Sequence, residues 1–199
     1  MLHILLRTSD RPNGFNRTIN ALRNQTDHNF KLLVTVDNAA TKSYVEASKF
    51  PCEIFEVQAA TRTHPNHNPY NSYVNTLIDN VKDGWYIVID DDDIVHNDLA
   101  ESINKICTQD DAVYIFKINF CGKHIPSYSF GKGIAFGDVA APCIIMNSKN
   151  KNIASWKPVR GGDFNYIKDI VESGKLKVAF ADKVIYTVQK PGGGRKEDV

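Results

Sequence analysis

Residues 90–93 are four consecutive aspartates, and they follow directly on the apolar run "WYIVI" at 85–89. Carboxylates at alternate positions, Asp90 and Asp92, with Asp93 beside them, are hard oxygen donors of the kind that Mg²⁺ and Mn²⁺ take. Mg²⁺ keeps one or two protein carboxylates and draws its other ligands from phosphate and water, so a metal here is expected to bind jointly with a phosphorylated ligand. The other reading of the run is an acidic turn that is merely solvated. Four adjacent like charges repel one another, and a chain that returns at once to Ile94 and Val95 must offset that repulsion with something.

Such a run needs elements to hold it. Apolar runs at 3–6 ("HILL"), 31–36 ("KLLVTV"), 52–57 ("CEIFEV") and 85–89 lack polar alternation, which suits strands covered on both faces. Between them "GFNRTINALRNQT" puts Phe15, Ile19 and Leu22 at helical spacing, and "YNSYVNTLIDNV" does the same with Tyr70, Val74, Leu77 and Val81. Strand and helix in alternation predict a Rossmann-like α/β fold: a three-layer α/β/α sandwich with a mostly parallel central sheet. Ligands of such sheets bind at the carboxyl ends of the strands. Three of those ends are polar: Arg7, Thr8, Ser9, Asp10 and Arg11 after the first run, Asp37 and Asn38 after the second, and the four aspartates. In the second half, "DAVYIFKINFCG" and "AAPCIIMN" read as strands, "DFNYIKDIVESG" as a helix closed by Gly174, and "KVAFADKVIYTV" as one or two strands. The Gly- and Ser-rich stretch "PSYSFGKGIAFGDV" reads as a loop or loose hairpin.

Composition narrows the function. The chain has 199 residues, 42% of them hydrophobic, and a net charge of +1, which fits one globular domain and gives no overall field for nucleic acid or an anionic membrane. Cys52, Cys107, Cys121 and Cys143 have no metal-ligand spacing and are expected as free thiols in a reducing compartment. No segment approaches the ~20 apolar residues of a membrane span, and the N-terminus lacks a signal-type apolar run, so a cytoplasmic, soluble protein is expected. The last residues, 191–199, read as a tail or as a linker into further domains.

The segments "RTSDRPNGFNRTINALRNQTDHNFKLLVTVDNA", "NSYVNTLIDNV" and "GWYIVIDDDDIV", in that order, resemble the N-terminal half of GT-A glycosyltransferases of the family 2 type. The shared pattern is a first strand and helix, the pair Gln25–Thr26, a strand ending in Asp37, a helix bearing Asn75, and a D-x-D strand end at Asp90–Asp93. The resemblance covers residues 2–97 well and the rest loosely. It also extends to the small GT-A domain that opens a multidomain glycosyltransferase of a large chlorella virus, which would put the protein in a host cytoplasm. It implies a single GT-A domain over 1–190, with a nucleotide-sugar-binding half at 1–97 and an acceptor-binding half at 98–190. It further implies a UDP-sugar donor, UDP-glucose by default, a glycan or other hydroxyl acceptor, Mn²⁺ or Mg²⁺, and inversion. Carried over, Thr8, Arg11, Asp37, Arg62, Asn75, Asp90 and Asp91 bind the nucleotide-sugar, and Asp90 and Asp92 hold the metal.

The family's general base is an acid at the start of a helix in the second half, which here is Asp163 in "RGGDFNYIKDI". The same residue also reads as a first-turn acid stabilised by the helix dipole, and Asp138 and Asp169 are further candidates. The sequence departs from many relatives in having no histidine after the last core strand, where Lys190 or Arg195 would stand in as phosphate contacts. His64, His67 and His96 read as loop residues more readily than as ligands. Tyr128, Phe130, Trp156 and Arg160 fit an acceptor surface and ordinary packing equally. Two other enzyme classes use comparable acids: haloacid-dehalogenase-type phosphatases, with a D-x-D strand end, and nucleotidyltransferases, for which "RTSDRPNG" is a poor phosphate loop. A non-enzymatic, metal-dependent carbohydrate-binding module would need the aspartates but neither Asp37 nor Asp163.

Overall fold

A computed structural model describes residues 1–189 of the chain. Three β-α units open it: β1 (Leu2–Arg7), α1 (Pro12–Arg23), β2 (Phe30–Val36), α2 (Ala39–Ala47), β3 (Cys52–Glu56) and α3 (Asn71–Asn80). They lead into β4 (Trp85–Asp90), the short β5 (Ile94–Val95) and α4 (Leu99–Ile106). The second half adds β6 (Ala112–Phe120), β7 (Lys123–Ile125), β8 (Ile144–Asn147), α5 (Gly162–Glu172) and β9 (Lys177–Val188).

All of these strands join one sheet in the order β3-β2-β1-β4-β8-β6-β9-β5, with β7 on β6. The first four are parallel, as their unbroken apolar runs require of strands covered by helices on both faces. Leu2, Ile4, Leu5, Leu6, Ile87 and Ile89 are fully buried in it. Beyond β4 the sheet is mixed, since β8 runs antiparallel to both neighbours while β6 and β9 are parallel. β5 then pairs antiparallel with the end of β9, setting Val95 opposite Tyr186. That pairing brings the last strand directly behind the four aspartates.

Three sequence expectations shift, and a fourth resolves. The first helix ends at Arg23, so Gln25 and Thr26 lie outside it. Tyr70 was expected on the buried stripe of the second helix, but it precedes α3 and is 41% exposed; Tyr73, Val74, Leu77 and Ile78 form that stripe. "AAPCIIMN" is divided into a 3-10 turn, Ala141–Cys143, and β8, because Pro142 cannot donate to a ladder. The 177–188 stretch is one long strand with register shifts against β6.

Candidate active site

The offset to the acidic run comes from the end of β1. Arg7 and Asp90 are register partners on adjacent parallel strands, and the guanidinium closes on Asp90 Oδ1 with Nη2 at 2.5 Å and Nε at 3.1 Å. Arg11, at the start of α1, reaches Asp91 at 2.7 Å and Asp92 at 3.1 Å. The Thr8 hydroxyl donates to Asp91 at 2.6 Å and shares a hydrogen bond of equal length with the Tyr44 hydroxyl. From behind, the Tyr186 hydroxyl accepts the Asp90 N–H at 3.2 Å and donates to the Asp90 carbonyl at 2.9 Å. Burial pushes the Asp91 carboxyl up to about 7 even though Arg11 and Thr8 act against it. Asp93 is likewise raised to about 7, by burial and then by its neighbours Asp92 and Asp90. Asp90 and Asp92 remain the more accessible pair.

The end of β2 makes the adjoining wall. Asp37 accepts the Asn38 amide at 3.0 Å and the Tyr73 hydroxyl at 3.3 Å. Asn38 bridges on to Asp10 and caps α2 by accepting the Thr41 N–H at 2.8 Å. Arg62 does not join this wall: it is exposed and donates to the His67 carbonyl at 3.0 Å.

The other side of the site is the N-terminus of α5. Asp163 stands in its first turn, half-buried, with Oδ1 accepting the Phe164 N–H at 2.8 Å. Burial raises its carboxyl above the ordinary value; the Phe164 N–H and then the positive Arg7 oppose the rise, and Asp90 adds to it. Asp163 therefore lies within electrostatic reach of the Arg7–Asp90 pair.

Asn71 holds the two sides together. Its Oδ1 accepts Arg7 Nη1 at 3.1 Å, and its Nδ2 donates to the Lys157 and Val159 carbonyls at 3.0 Å each. Gly162 makes this possible, since a β-carbon there would stand 2.2 Å from Asn71 Nδ2 and 3.0 Å from the Lys157 carbonyl oxygen. The sequence reading chose Asn75, one turn along, and missed Asn71. Asn75 is occupied elsewhere: its amide clasps the Trp156 backbone, with both hydrogen bonds at 2.9 Å. The one sequence signal for Asn71 was the helical face it shares with Asn75.

Several other candidates have structural work. Asp138 is buried and accepts four donors from Ser127 and Ser129; burial works against its charge, but these bonds outweigh it and hold the carboxyl below its ordinary value. Asp169 is paired with Lys157 at 2.6 Å. His96 Nε2 lies 2.9 Å from the Thr187 hydroxyl, and His64 stacks on His67. Gln25 accepts the Ala100 N–H in the first turn of α4 and donates to the His96 carbonyl, so this residue of the Gln-Thr pair is a strut behind the aspartates. Trp156 is buried against Tyr166 at 5.0 Å and Phe130 packs on Phe180, whereas Tyr128 and Phe136 are exposed. Lys190 and Arg195 lie outside the described residues.

Among the described residues no group of three or more His, Cys, Asp or Glu side chains is arranged to hold a metal ion. The donor set nevertheless fits a diphosphate-bound Mg²⁺ or Mn²⁺, which asks the protein for one or two carboxylates such as Asp90 and Asp92. No helix among the described residues is long and apolar enough to cross a membrane.

Solved structures share this fold. S. aureus TarS (residues 1–349) superposes with a TM-score of 0.67 at 16% identity, covering 94% of this chain and 59% of that one. The mannosyltransferase PcManGT from Pyrobaculum calidifontis, solved with GDP-Man and Mn²⁺, gives 0.67 at 10% identity, covering 97% and 58%. Glucosyl-3-phosphoglycerate synthase from Mycobacterium tuberculosis, with Mg²⁺ and UDP, gives 0.63 at 11%, covering 94% and 70%. The chain thus spans about three fifths of the first two, and 36% of a longer TarS chain. No match was found among curated proteins. The family description of glycosyl transferase family 2 matches residues 7–167, a span that runs from the arginine facing Asp90 to the helix carrying Asp163. The chain belongs to glycosyl transferase family 2, which sets aside the phosphatase and binding-module readings.

Proposed function

We propose that the protein is a metal-dependent, inverting glycosyltransferase that moves a sugar from a UDP-sugar, with UDP-glucose as the default donor, to a hydroxyl of a glycan. Residues 1–97 hold the donor and 98–190 the acceptor. Arg11 and Asp37 contact the nucleotide, Asp37 accepting the uracil N3–H, and Thr8 acts through Asp91. Asp90 and Asp92 would hold Mn²⁺ or Mg²⁺, and the bound ion would supply positive charge to stabilise the departing diphosphate. TarS has been solved with UDP and with UDP-GlcNAc, which supports a uridine donor here by analogy of fold.

In the step itself the Asp163 carboxylate takes the proton of the acceptor hydroxyl. The acceptor oxygen bonds to C1 of the sugar as the C1–O bond to the diphosphate breaks, and UDP leaves with the electron pair. The observation that supports this reading is the Asn71 bridge, which accepts from Arg7, the partner of Asp90, and donates to the Lys157 and Val159 carbonyls just before the α5 N-terminus that carries Asp163. A raised proton affinity suits a base, and the Phe164 N–H at the α5 N-terminus limits the rise.

The test is titration calorimetry with UDP, GDP and CMP, each with Mn²⁺ and again with EDTA. UDP alone should bind, only with metal, and Asp92→Ala should abolish that binding. Absence of nucleotide binding under both conditions would overturn the reading.

A further inference from the structure

A cavity of about 220 Å³ opens beside Asp163, lined by Phe120, Ile125, Phe136, Val139 and Phe164, with Gly137, Ala140 and Gly161 between them. Only two charged residues line it, Asp163 and Arg160. If Asp163 takes the acceptor's proton, the body of the acceptor lies here, so this inference rests on the proposed function.

Two features say what that body is. The first is Phe136, which is 69% exposed yet placed with care. Its ring meets Phe164 edge-on at 5.4 Å and packs against the α-carbon of Gly161, where a β-carbon would come within 3.0 Å of the ring. The segment that carries it is held on both sides, by the Asp138 bonds to Ser127 and Ser129 and by the Tyr128 hydroxyl, which donates to the Phe136 carbonyl at 3.1 Å. A large apolar ring held at a cavity mouth without being buried offers a face to a ligand. The second feature is Arg160, which is exposed and forms no ion pair with a described residue, while its backbone is fixed by donation to the Asn66 carbonyl at 2.8 Å. A guanidinium has five donors and binds carboxylate or phosphate in bidentate fashion.

We propose that the acceptor is a pyranoside bearing an anionic substituent, carboxylate or phosphate. Its ring lies on Phe136, its charge meets Arg160, and its reacting hydroxyl faces Asp163. Arg160 and Phe136 therefore select the acceptor and take no part in holding the donor.

Saturation-transfer NMR on the chain loaded with Mn²⁺ is unsuitable because the ion is paramagnetic, so the titration uses UDP and Mg²⁺. The probes are methyl glucoside, methyl glucosiduronate and methyl glucoside 6-phosphate. A charge-assisted contact should make one or both anionic probes bind about 10- to 100-fold more tightly than the neutral one. Which of the two gains more distinguishes carboxylate from phosphate. Arg160→Gln should bring the affinities together, and Phe136→Ala should weaken all three alike. Equal affinities in the wild type, a gap that survives in Arg160→Gln, or binding of UDP with no binding of any glycoside would each overturn the inference. Failure to bind UDP would instead strike the proposed function.

Discussion

Gly162→Ala is the sharpest perturbation of the join between the end of β1 and the N-terminus of α5. Alanine is the better helix former, so at an unconstrained helical position the change stabilises by about 0.5–1 kcal/mol. Gly162 is constrained: the new β-carbon would stand 2.2 Å from Asn71 Nδ2 and 3.0 Å from the Lys157 carbonyl oxygen. Either the helix end or the amide must move. Overpacking of this kind costs about 1–3 kcal/mol, and a displaced amide weakens its part-buried bonds to the Lys157 and Val159 carbonyls, adding about 1 kcal/mol. A net loss of about 2–4 kcal/mol lowers Tm by roughly 5–15 °C for a domain of this size. Because Asp163 is the next residue, a shift on the order of 1 Å should also cut kcat by about 10²-fold. The assay is a thermal melt with steady-state transfer kinetics for Gly162→Ala, Asn71→Ala and the double variant. Asn71→Ala alone removes the bonds but leaves room for the β-carbon, so the double variant should be less damaged than the sum, with a coupling of about 1–2 kcal/mol. A Gly162→Ala protein that melts at or above the wild-type temperature with undiminished kcat would refute the reasoning, as would strict additivity.

Asp163→Asn should lower kcat by about 10²- to 10⁴-fold and leave metal-dependent UDP binding intact; loss of UDP binding would show Asp163 to be a donor-side residue. A base must be unprotonated to act, and burial raises Asp163, so kcat/KM should rise with pH on an acid limb above the ordinary carboxylate range. Asp93 keeps its proton to about 7 in the folded protein, while the unfolded chain loses it near the ordinary value of 3.8. Between those values the unfolded state binds fewer protons, so this group makes stability fall as pH rises. Asp93→Asn should therefore flatten the decline of Tm from pH 4 to 7 measured in EDTA, and a slope as steep as the wild type would count against the buried acid.

The parallel half of the sheet was legible because β1, β2 and β4 are largely buried and read as apolar runs, while β3 at the edge is only half-buried. The helices α2 and α4 were not legible. α2 buries only Thr41 and Val45 and carries little apolar periodicity, whereas α4 buries Leu99, Ala100 and Ile103 on one face but at eight residues is too short for the period to stand out. The choice between Asn71 and Asn75 was undecidable locally, since residues four apart share a helix face. What separates them is where the backbone at 157–162 arrives from the far end of the chain. Gly161 and Gly162, side by side before Asp163, permit a close approach; which group approaches is again a long-range fact.

The acidic run shows how far local rules reach. Asp90 closes β4 and Asp91–Asp93 form the tight turn into β5, and within this short stretch the four aspartates divide by burial. Asp90 and Asp92 keep side-chain exposures of 34% and 23%, whereas Asp91 and Asp93 are buried. Burial raises the carboxyls of these two to about 7, which weakens their hold on negative charge relative to ordinary carboxylates. Arg7 faces Asp90, and Arg11 faces Asp91 and Asp92. The repulsion implied by the sequence is thus relieved twice, by burial of alternate acids and by two arginines from the first strand end. Both devices leave Asp90 and Asp92, the pair proposed to hold the metal, as the accessible ones.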